Sequence, residues 1–315
     1  MLMQAAWVAR CRWVPVTTVA LMAGSVALTG AVPATAAAFQ TTVNCNTNPQ
    51  ALQPAIDGAA TGAALRVTGP CIGPFTISRN LTLFGVGHAV LDGNQGGSTV
   101  TVTNNADVRL EGLTITNGHG ANGGGLLNIN SSTVTLKESA VTYNTADNTG
   151  GGIFNENGSS LTLDDSTVRY NNATSTGGID NRGTARLKGS TVRNNTSATD
   201  SGGIYSGGSL TLDHSTVSYN TAGSPGGGGI FNDGTLTLDH ATVNRNTAPF
   251  GGGIYNRNVA NLIRSGVNDN TATGGPGSGG GIFNDGGTVS LNQSKVRSNT
   301  PDNCAPENTI GGCTG

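Results

Sequence analysis

Residues 202–220 read Gly-Gly-Ile-Tyr-Ser-Gly-Gly-Ser-Leu-Thr-Leu-Asp-His-Ser-Thr-Val-Ser-Tyr-Asn. Leu210 and Leu212 flank Thr211, an apolar–polar alternation of period two, which is the signature of a strand with one buried face. A helix would need a period near 3.6, and no segment after Gly123 shows one. The stretch is one copy of a repeat that runs from Gly123 to Thr300. Seven copies align without gaps through their central part: Leu, two variable residues, Ser (once Ala241), one residue, Val, two residues, Asn. The Leu column is Leu136, Leu163, Leu187, Leu212, Leu238, Leu262 and Leu291; the Val column is Val141, Val168, Val192, Val217, Val243, Val267 and Val296. The Asn column is Asn144, Asn171, Asn195, Asn220, Asn246, Asn270 and Asn299, with successive separations of 27, 24, 25, 26, 24 and 29 residues.

A unit this short cannot bury its own apolar face, so it must stack on its neighbours. Each copy holds two or three short strands: Gly-Ile-Phe/Tyr-Asn, Leu-Thr-Leu and Ser-Thr-Val. The arrangement that stacks such units is a parallel β-helix with coils about 4.8 Å apart. Leu above Leu and Val above Val then form a dry core, and the Asn column forms a ladder of side-chain amides at a turn. The 50 glycines follow no three-residue period, which excludes collagen; they cluster once per repeat, as at Gly150–Gly152 and Gly226–Gly229. Such clusters suit a tight corner. Upstream, residues 49–59 form the one plausible helix, with Leu52 and Ile56 on one face, placed to cover the open end of the core. Strands are expected at Leu65–Val67, Phe75–Ile77, Leu81–Phe84, Val90–Leu91, Val100–Val102 and Val108–Ile115.

The first 38 residues have the form of an export signal: Arg10 and Arg12, an apolar stretch from Trp13 to Val32, then small residues at Ala34–Ala38. Their removal leaves 14 basic against 18 acidic residues, a formal charge of −4, and no transmembrane segment. No basic face is implied, and nucleic acid is not expected as a partner. Cys11 lies in the signal. The remaining four cysteines pair most simply as Cys45–Cys71 and Cys304–Cys313, at the two ends of the solenoid. The organisation expected is a signal (1–38), a cap with the first coils (39–122), regular repeats (123–303) and a disulfide loop (304–315).

Leu81-Thr-Leu-Phe-Gly, Val90-Leu-Asp-Gly and Leu113-Thr-Ile-Thr-Asn-Gly, with the later Gly-Gly-Gly-Ile-Phe-Asn and Ser-Thr-Val-x-x-Asn coils, make the chain resemble the pectin-lyase-like right-handed parallel β-helix proteins. The Gly-Gly-Ile-Phe/Tyr-Asn element is similar to the short repeats of chlamydial polymorphic membrane proteins, which are surface adhesins. The resemblance covers residues 40 to 303 and implies a fold shared by enzymes and non-enzymes alike. Those adhesins end in a membrane β-barrel, for which this chain leaves no room.

Three outward columns are candidates for function. At the turn between the Leu and Val strands, Asp164, Lys188, Asp213 and Asp239 share one column, and Asp165, Gly189, His214, His240 and Arg264 the next. Asp213, His214, Asp239, His240 and Arg264 could together do acid–base work on an acidic sugar, or be a solvated turn. Calcium would be the cofactor if the chain were a lyase, as the resemblance implies; otherwise no cofactor is expected. In the second column Phe154, Tyr205, Phe231, Tyr255 and Phe283 follow the inward isoleucines, with Asp180 interrupting them. Alternation turns these rings outward as a stacking platform for sugars, unless they form an ordinary half-buried stack that holds coils in register. The third column, Thr/Ser on the Leu strand, suggests ice binding, but Arg186, Val259 and Asn261 break its array. Gly118-His-Gly-Ala-Asn-Gly precedes no helix and is no dinucleotide site. It and Asp164-Asp165 match strings of polygalacturonases in the wrong order, so that hydrolase site is not carried over.

The expectation is an all-β, right-handed parallel β-helix of roughly ten coils. Functionally it is expected to be a secreted, non-catalytic module that binds polysaccharide or another cell-surface partner. A pectin-lyase-like polysaccharide lyase or glycoside hydrolase and a purely structural spacer are the alternatives. The oligomeric state is left open.

Overall fold

The computed structural model describes residues 41–313; the export-signal expectation and Cys11 fall outside them. The described chain is an all-β right-handed parallel solenoid of about ten turns with very little helix. Each regular coil carries a five-residue first strand (Ser209–Asp213), a three-residue second strand (Thr216–Ser218) and a three-residue third strand (Ile230–Asn232). First and second strands join one 19-stranded sheet, and the third strands form a separate sheet of ten.

Every pairing is parallel and keeps the register of the sequence columns. Leu212 stands opposite Leu187 and Leu238, Val217 opposite Val192 and Val243, and Ile204 opposite Ile230. These residues are fully buried and belong to one continuous core. The Asn column is a ladder: each Nδ2 donates to Oδ1 of the next asparagine at 3.0 Å from Asn144 through Asn299. The same Oδ1 also accepts a backbone N–H, as Asn220 does from Asn195 at 3.0 Å. A second ladder joins Asn128, Asn155 and Asn181, and resumes from Asn232 through Asn256 to Asn284. Ser206 interrupts it because a hydroxymethyl group is too short to span the coils.

The glycine clusters are explained by proximity between coils. Gly150 has φ +64°, and a Cβ on Gly152 would lie 2.8 Å from the carbonyl oxygen of Gly178 in the next coil. Backbone therefore packs on backbone at this corner, where no side chain fits.

Departures from expectation sit where the alternation is short or bent. Two-residue strands follow the ladder, for example Asn172–Ala173 and Thr247–Ala248, and were too brief to register as a pattern. Their inward residues are small: Ala146, Ala173, Ser197, Ala222, Ala248 and Ala272 are all buried. The expected strand 108–115 is split at Gly112, φ +65°, into Asp107–Glu111 and Thr114–Thr116, while Leu81–Asp92 runs through as one. Thr41–Asn44, too polar to be read as a strand, pairs with Ala63–Ile72. The helix spans Leu52–Gly58 and buries Leu52 and Ile56. Both expected disulfides are present, Cys45–Cys71 and Cys304–Cys313. No helix among the described residues is long and apolar enough to cross a membrane.

Candidate functional site

The charged turn column assembles as the register requires. Asp164, Lys188, Asp213 and Asp239 are directly opposite one another along the sheet. The next residue in each coil adopts positive φ: 50° at Asp165, 49° at His214, 51° at His240 and 48° at Arg264. That left-handed residue makes the bend between the two strands and throws its side chain outward. The imidazoles of His214 and His240 stack with centroids 4.7 Å apart. His214 Nδ1 hydrogen-bonds its neighbour Asp213 at 2.6 Å, and His240 Nδ1 lies 2.8 Å from Asp239. Arg186 lies 2.7 Å from Asp213, and Arg264 lies 3.7 Å from Asp239. Asp213 and Asp239 thus each already have a guanidinium and an imidazole partner, and the His214 and Arg264 side chains are exposed.

The His214 hydrogen bond, helped by Arg186, holds the Asp213 carboxyl below its usual range. A depressed folded-state pKa contributes stability above the ordinary carboxylate value near ~3.9 and loses it as pH falls through the folded value. For exposed partners the contribution is below ~1 kcal/mol. Asp213→Asn is therefore expected to lower the melting temperature at pH 7 by no more than about 2–4 °C, with the difference from wild type shrinking as pH falls below the ordinary carboxylate value. Thermal scans of the two proteins across that range check it; a gap that widened on acidification would contradict the pairing.

The aromatic column departs from the exposed-platform expectation. Phe154, Phe231 and Tyr255 are 8, 2 and 6% exposed, and Tyr205 and Phe283 are half-buried. The rings do point away from the isoleucine core, but guanidinium groups from the adjoining turns cover them. Arg182 lies 5.0 Å from the Phe154 centroid, and Arg257 lies 5.0 and 5.3 Å from those of Phe231 and Tyr255. Phe231 and Tyr255 stack at 4.7 Å, and Phe250 comes from a neighbouring loop to within 5.3 Å of Phe283. The column is a stack under lids.

Those lids and the acids between them frame a cleft of about 230 Å³, lined by Asp180, Arg182, Asp200, Tyr205, Asp233 and Arg257 above Phe231. It gathers three of the expected ligand-binding residues, Asp180, Tyr205 and Phe231; Phe154, Tyr255 and Phe283 continue the row without lining it. Asp180 is 1% exposed, accepts a hydrogen bond from the Thr149 hydroxyl at 2.7 Å and pairs with Arg182 at 3.2 Å. Tyr205 donates to Asp233 at 3.2 Å, and Tyr255 to Asp285 at 2.8 Å. Burial and the adjacent Asp233 push the Tyr205 phenol up to about 12, so it is a protonated donor at neutral pH. Among the described residues no three His, Cys, Asp or Glu side chains converge to hold a metal ion.

One exposed aromatic row lies elsewhere. Tyr143, Tyr170 and Tyr219 are 61, 39 and 49% exposed and occupy the left-handed position just before the ladder asparagine, with φ of 55°, 54° and 56°. Tyr143 and Tyr170 stack at 5.1 Å, within 10° of parallel. The signal was present in the sequence as three Tyr-Asn dipeptides at one repeat position. It was masked because the inward Val and ladder Asn on either side drew attention to the core.

No family model matches this chain, and no curated protein does. A solved structure, an alginate lyase from Paenibacillus sp. str. FPU-7, is 13% identical with a TM-score of 0.34, over 86% of this chain and 99% of that one.

Proposed function

We propose that this chain is an exported, non-catalytic β-solenoid that binds polysaccharide, and that the Asp180–Arg257 cleft grips a sugar unit. The observation that carries this reading is the chemistry of the cleft. Carboxylates, guanidinium groups and a protonated Tyr205 hydroxyl ring a polar recess with the Phe231 ring at its floor. Such groups hydrogen-bond sugar hydroxyls, with Arg257 held over the covered Phe231 ring as one of the donors. The volume, below the ~300–1,000 Å³ of a drug-sized pocket, suits one sugar unit of a longer chain.

The state of the acids supports binding over bond cleavage. Acid–base hydrolysis needs one protonated and one free carboxyl poised across a bond. Of the three acids that line the cleft, Asp180 is paired with Arg182 and Asp233 accepts from the Tyr205 hydroxyl, which leaves Asp200 as a single unengaged carboxyl rather than one of a poised pair. A tyrosine base would need a lowered pKa, and Tyr205 is displaced upward. The two disulfides fit an oxidising compartment. The Gly-Gly-Ile-Phe/Tyr-Asn repeats fit an adhesive surface role.

Incubation with neutral and acidic polysaccharides, following retained protein, reducing ends and unsaturated-sugar absorbance together, tests the reading. Retention without products is expected, weakened about tenfold or more by Arg257→Ala with Asp233→Asn. Products that vanish in His214→Ala/His240→Ala would instead establish a lyase or hydrolase centred on the turn column. Neither retention nor products would leave a structural spacer.

A further inference from the structure

We propose that the second-strand face of the solenoid, from Tyr143 to Arg297, is a docking track for a linear anionic polysaccharide. This names the polymer class and a second surface for the glycan-binding function proposed above, and rests on that reading only in taking the ligand to be a glycan.

The argument begins with charge pairing. Arg109, Lys137, Arg182, Arg186, Lys188, Arg257 and Arg264 each form an ion pair with Asp or Glu. Arg169, Arg193, Arg245, Lys295 and Arg297 pair with no carboxylate among the described residues, and all five lie on the second strand or the turn that ends it. The expectation that no basic face exists is thereby corrected. Total composition hides a narrow basic stripe in a chain of formal charge −2, because the acids are concentrated on other columns. One acid, Asp269, stands in the stripe, where it accepts a hydrogen bond from Asn268 at 3.3 Å.

Three of the five unpaired cations, Arg169, Arg193 and Arg245, are held in place by aromatic rings. Arg169 and Arg193 approach Tyr170 to 5.5 and 5.8 Å. Arg245 lies 5.5 Å from the Tyr219 centroid and donates to its hydroxyl at 2.9 Å. Arg193 also donates to the Asn194 side chain at 3.1 Å. Guanidinium groups laid on ring faces are preorganised, so little rotamer freedom remains to be lost when an anion binds.

The geometry selects the polymer. The residues lie in neighbouring columns of one face, because the strands pair in strict register from Ala140–Thr142 to Lys295–Arg297: Arg169, Arg193 and Arg297 share the last strand position, Lys295 stands two residues before Arg297, and Tyr143, Tyr170, Tyr219 and Arg245 share the turn position that follows. Seven rungs, separated by six spacings of ~4.8 Å, make a track of about 29 Å. A pyranose in an extended chain advances by about one rung, so carboxylates or sulfates recurring along it can meet the cations on the coils of Arg169, Arg193, Arg245 and Lys295–Arg297 while the exposed Tyr143, Tyr170 and Tyr219 side chains meet the sugars between them. Thr142, Asn194, Ser218 and Asn244 between them offer hydroxyl and amide groups for sugar oxygens. Duplex nucleic acid carries about one charge per 1.7 Å, far denser than this spacing of cations, and is poorly matched.

The test uses the full chain, with polygalacturonate as the acidic polymer, a neutral β-glucan, and a single-stranded oligonucleotide of matched charge. Affinity electrophoresis and calorimetry are run at low and high salt. Polygalacturonate is expected to bind most tightly and to weaken as salt rises. Arg169→Ser/Arg193→Ser, and separately the exposed Arg245→Ser or Tyr170→Ser, should each weaken it several-fold, the double variant about tenfold or more. Arg186→Ser/Lys188→Ser, which removes the same charge from the first-strand face, should leave it unchanged. Each variant is required to melt with the wild type. Equal loss in that control would overturn the stripe in favour of bulk charge, and an oligonucleotide bound as tightly as polygalacturonate would overturn the polymer class. Glycan retention that the stripe variants leave intact would overturn the track while the cleft reading stands. Retention of no glycan by the wild type would overturn both.

Discussion

Leu212→Asp is expected to abolish cooperative folding of the solenoid. Leu212 is fully buried, stacked between Leu187 and Leu238 on the first strands of adjacent coils. Truncating a core leucine costs about 2–5 kcal/mol by itself. A carboxylate in the same place adds an unpaired charge with no donor in reach, which costs several kcal/mol more or forces protonation. Together these rival the whole ~5–15 kcal/mol stability of a typical domain. The solenoid has no alternative core, because each coil contacts only its neighbours and a ruined rung separates the two halves. Thr211→Asp is the paired control. It is the adjacent residue, faces outward opposite Arg186, and is expected to change stability by no more than about 0.5 kcal/mol. Circular dichroism with guanidinium titration reads both; a Leu212→Asp protein with the wild-type midpoint would sink the inward assignment of the Leu column.

Asn220→Leu should be nearly as damaging, although it adds apolar bulk to a buried position. The Asn220 amide serves four hydrogen bonds, each at 3.0 Å: its Oδ1 accepts from Asn195 N–H and Nδ2, and its Nδ2 donates to Val192 O and Asn246 Oδ1. Leucine removes all four: the buried Asn195 N–H loses its acceptor, and Asn195 Nδ2 and Asn246 Oδ1 are each left with one bond, to Val168 O and from the Asn220 N–H. At about 1–3 kcal/mol for each buried group that loses a bond, the loss is expected to be roughly 4 kcal/mol or more. Asn220→Asp restores the acceptor but turns an oxygen toward Val192 O and Asn246 Oδ1, so it should rescue little. Denaturant midpoints for the two variants decide this. A leucine variant within ~1 kcal/mol of wild type would show the ladder to be turn chemistry without energetic weight.

The Leu, Val and Asn columns were legible because inward positions of a stacked repeat must recur: each copy meets the same neighbours above and below. Asp164, Asp213 and Asp239, with His214 and His240, were likewise placed in adjacent columns by counting alone, and the pairing register agrees. The second ladder, through Asn128, Asn155 and Asn181, was written in the same Gly-Ile-Phe-Asn element that drew attention for its rings. For the ring column two readings stood open, an exposed platform and a half-buried stack, and the rings form the stack. Alternation says which side of a strand a residue leaves from, but not what lies over it. Arg182 and Arg257, which share the repeat position after Asn181 and Asn256 but alternate there with Gly207 and Asp233, supply the lids.

What the sequence by itself determined about this protein is its periodic part: the parallel solenoid, its register, its dry core and its two disulfides. These follow from short-range alternation and from repetition, which are properties of the chain read in order. The tertiary structure alone decided which outward groups are free. Asp180 is sealed against Thr149 and Arg182, Phe231 lies under Arg257, and Tyr143, Tyr170 and Tyr219 stand in solvent beside arginines without counter-ions. The reason is physical: exposure and charge pairing are set by contacts between coils and loops some 25 residues apart, where a single arginine's position changes whether a ring or a carboxylate can meet a ligand.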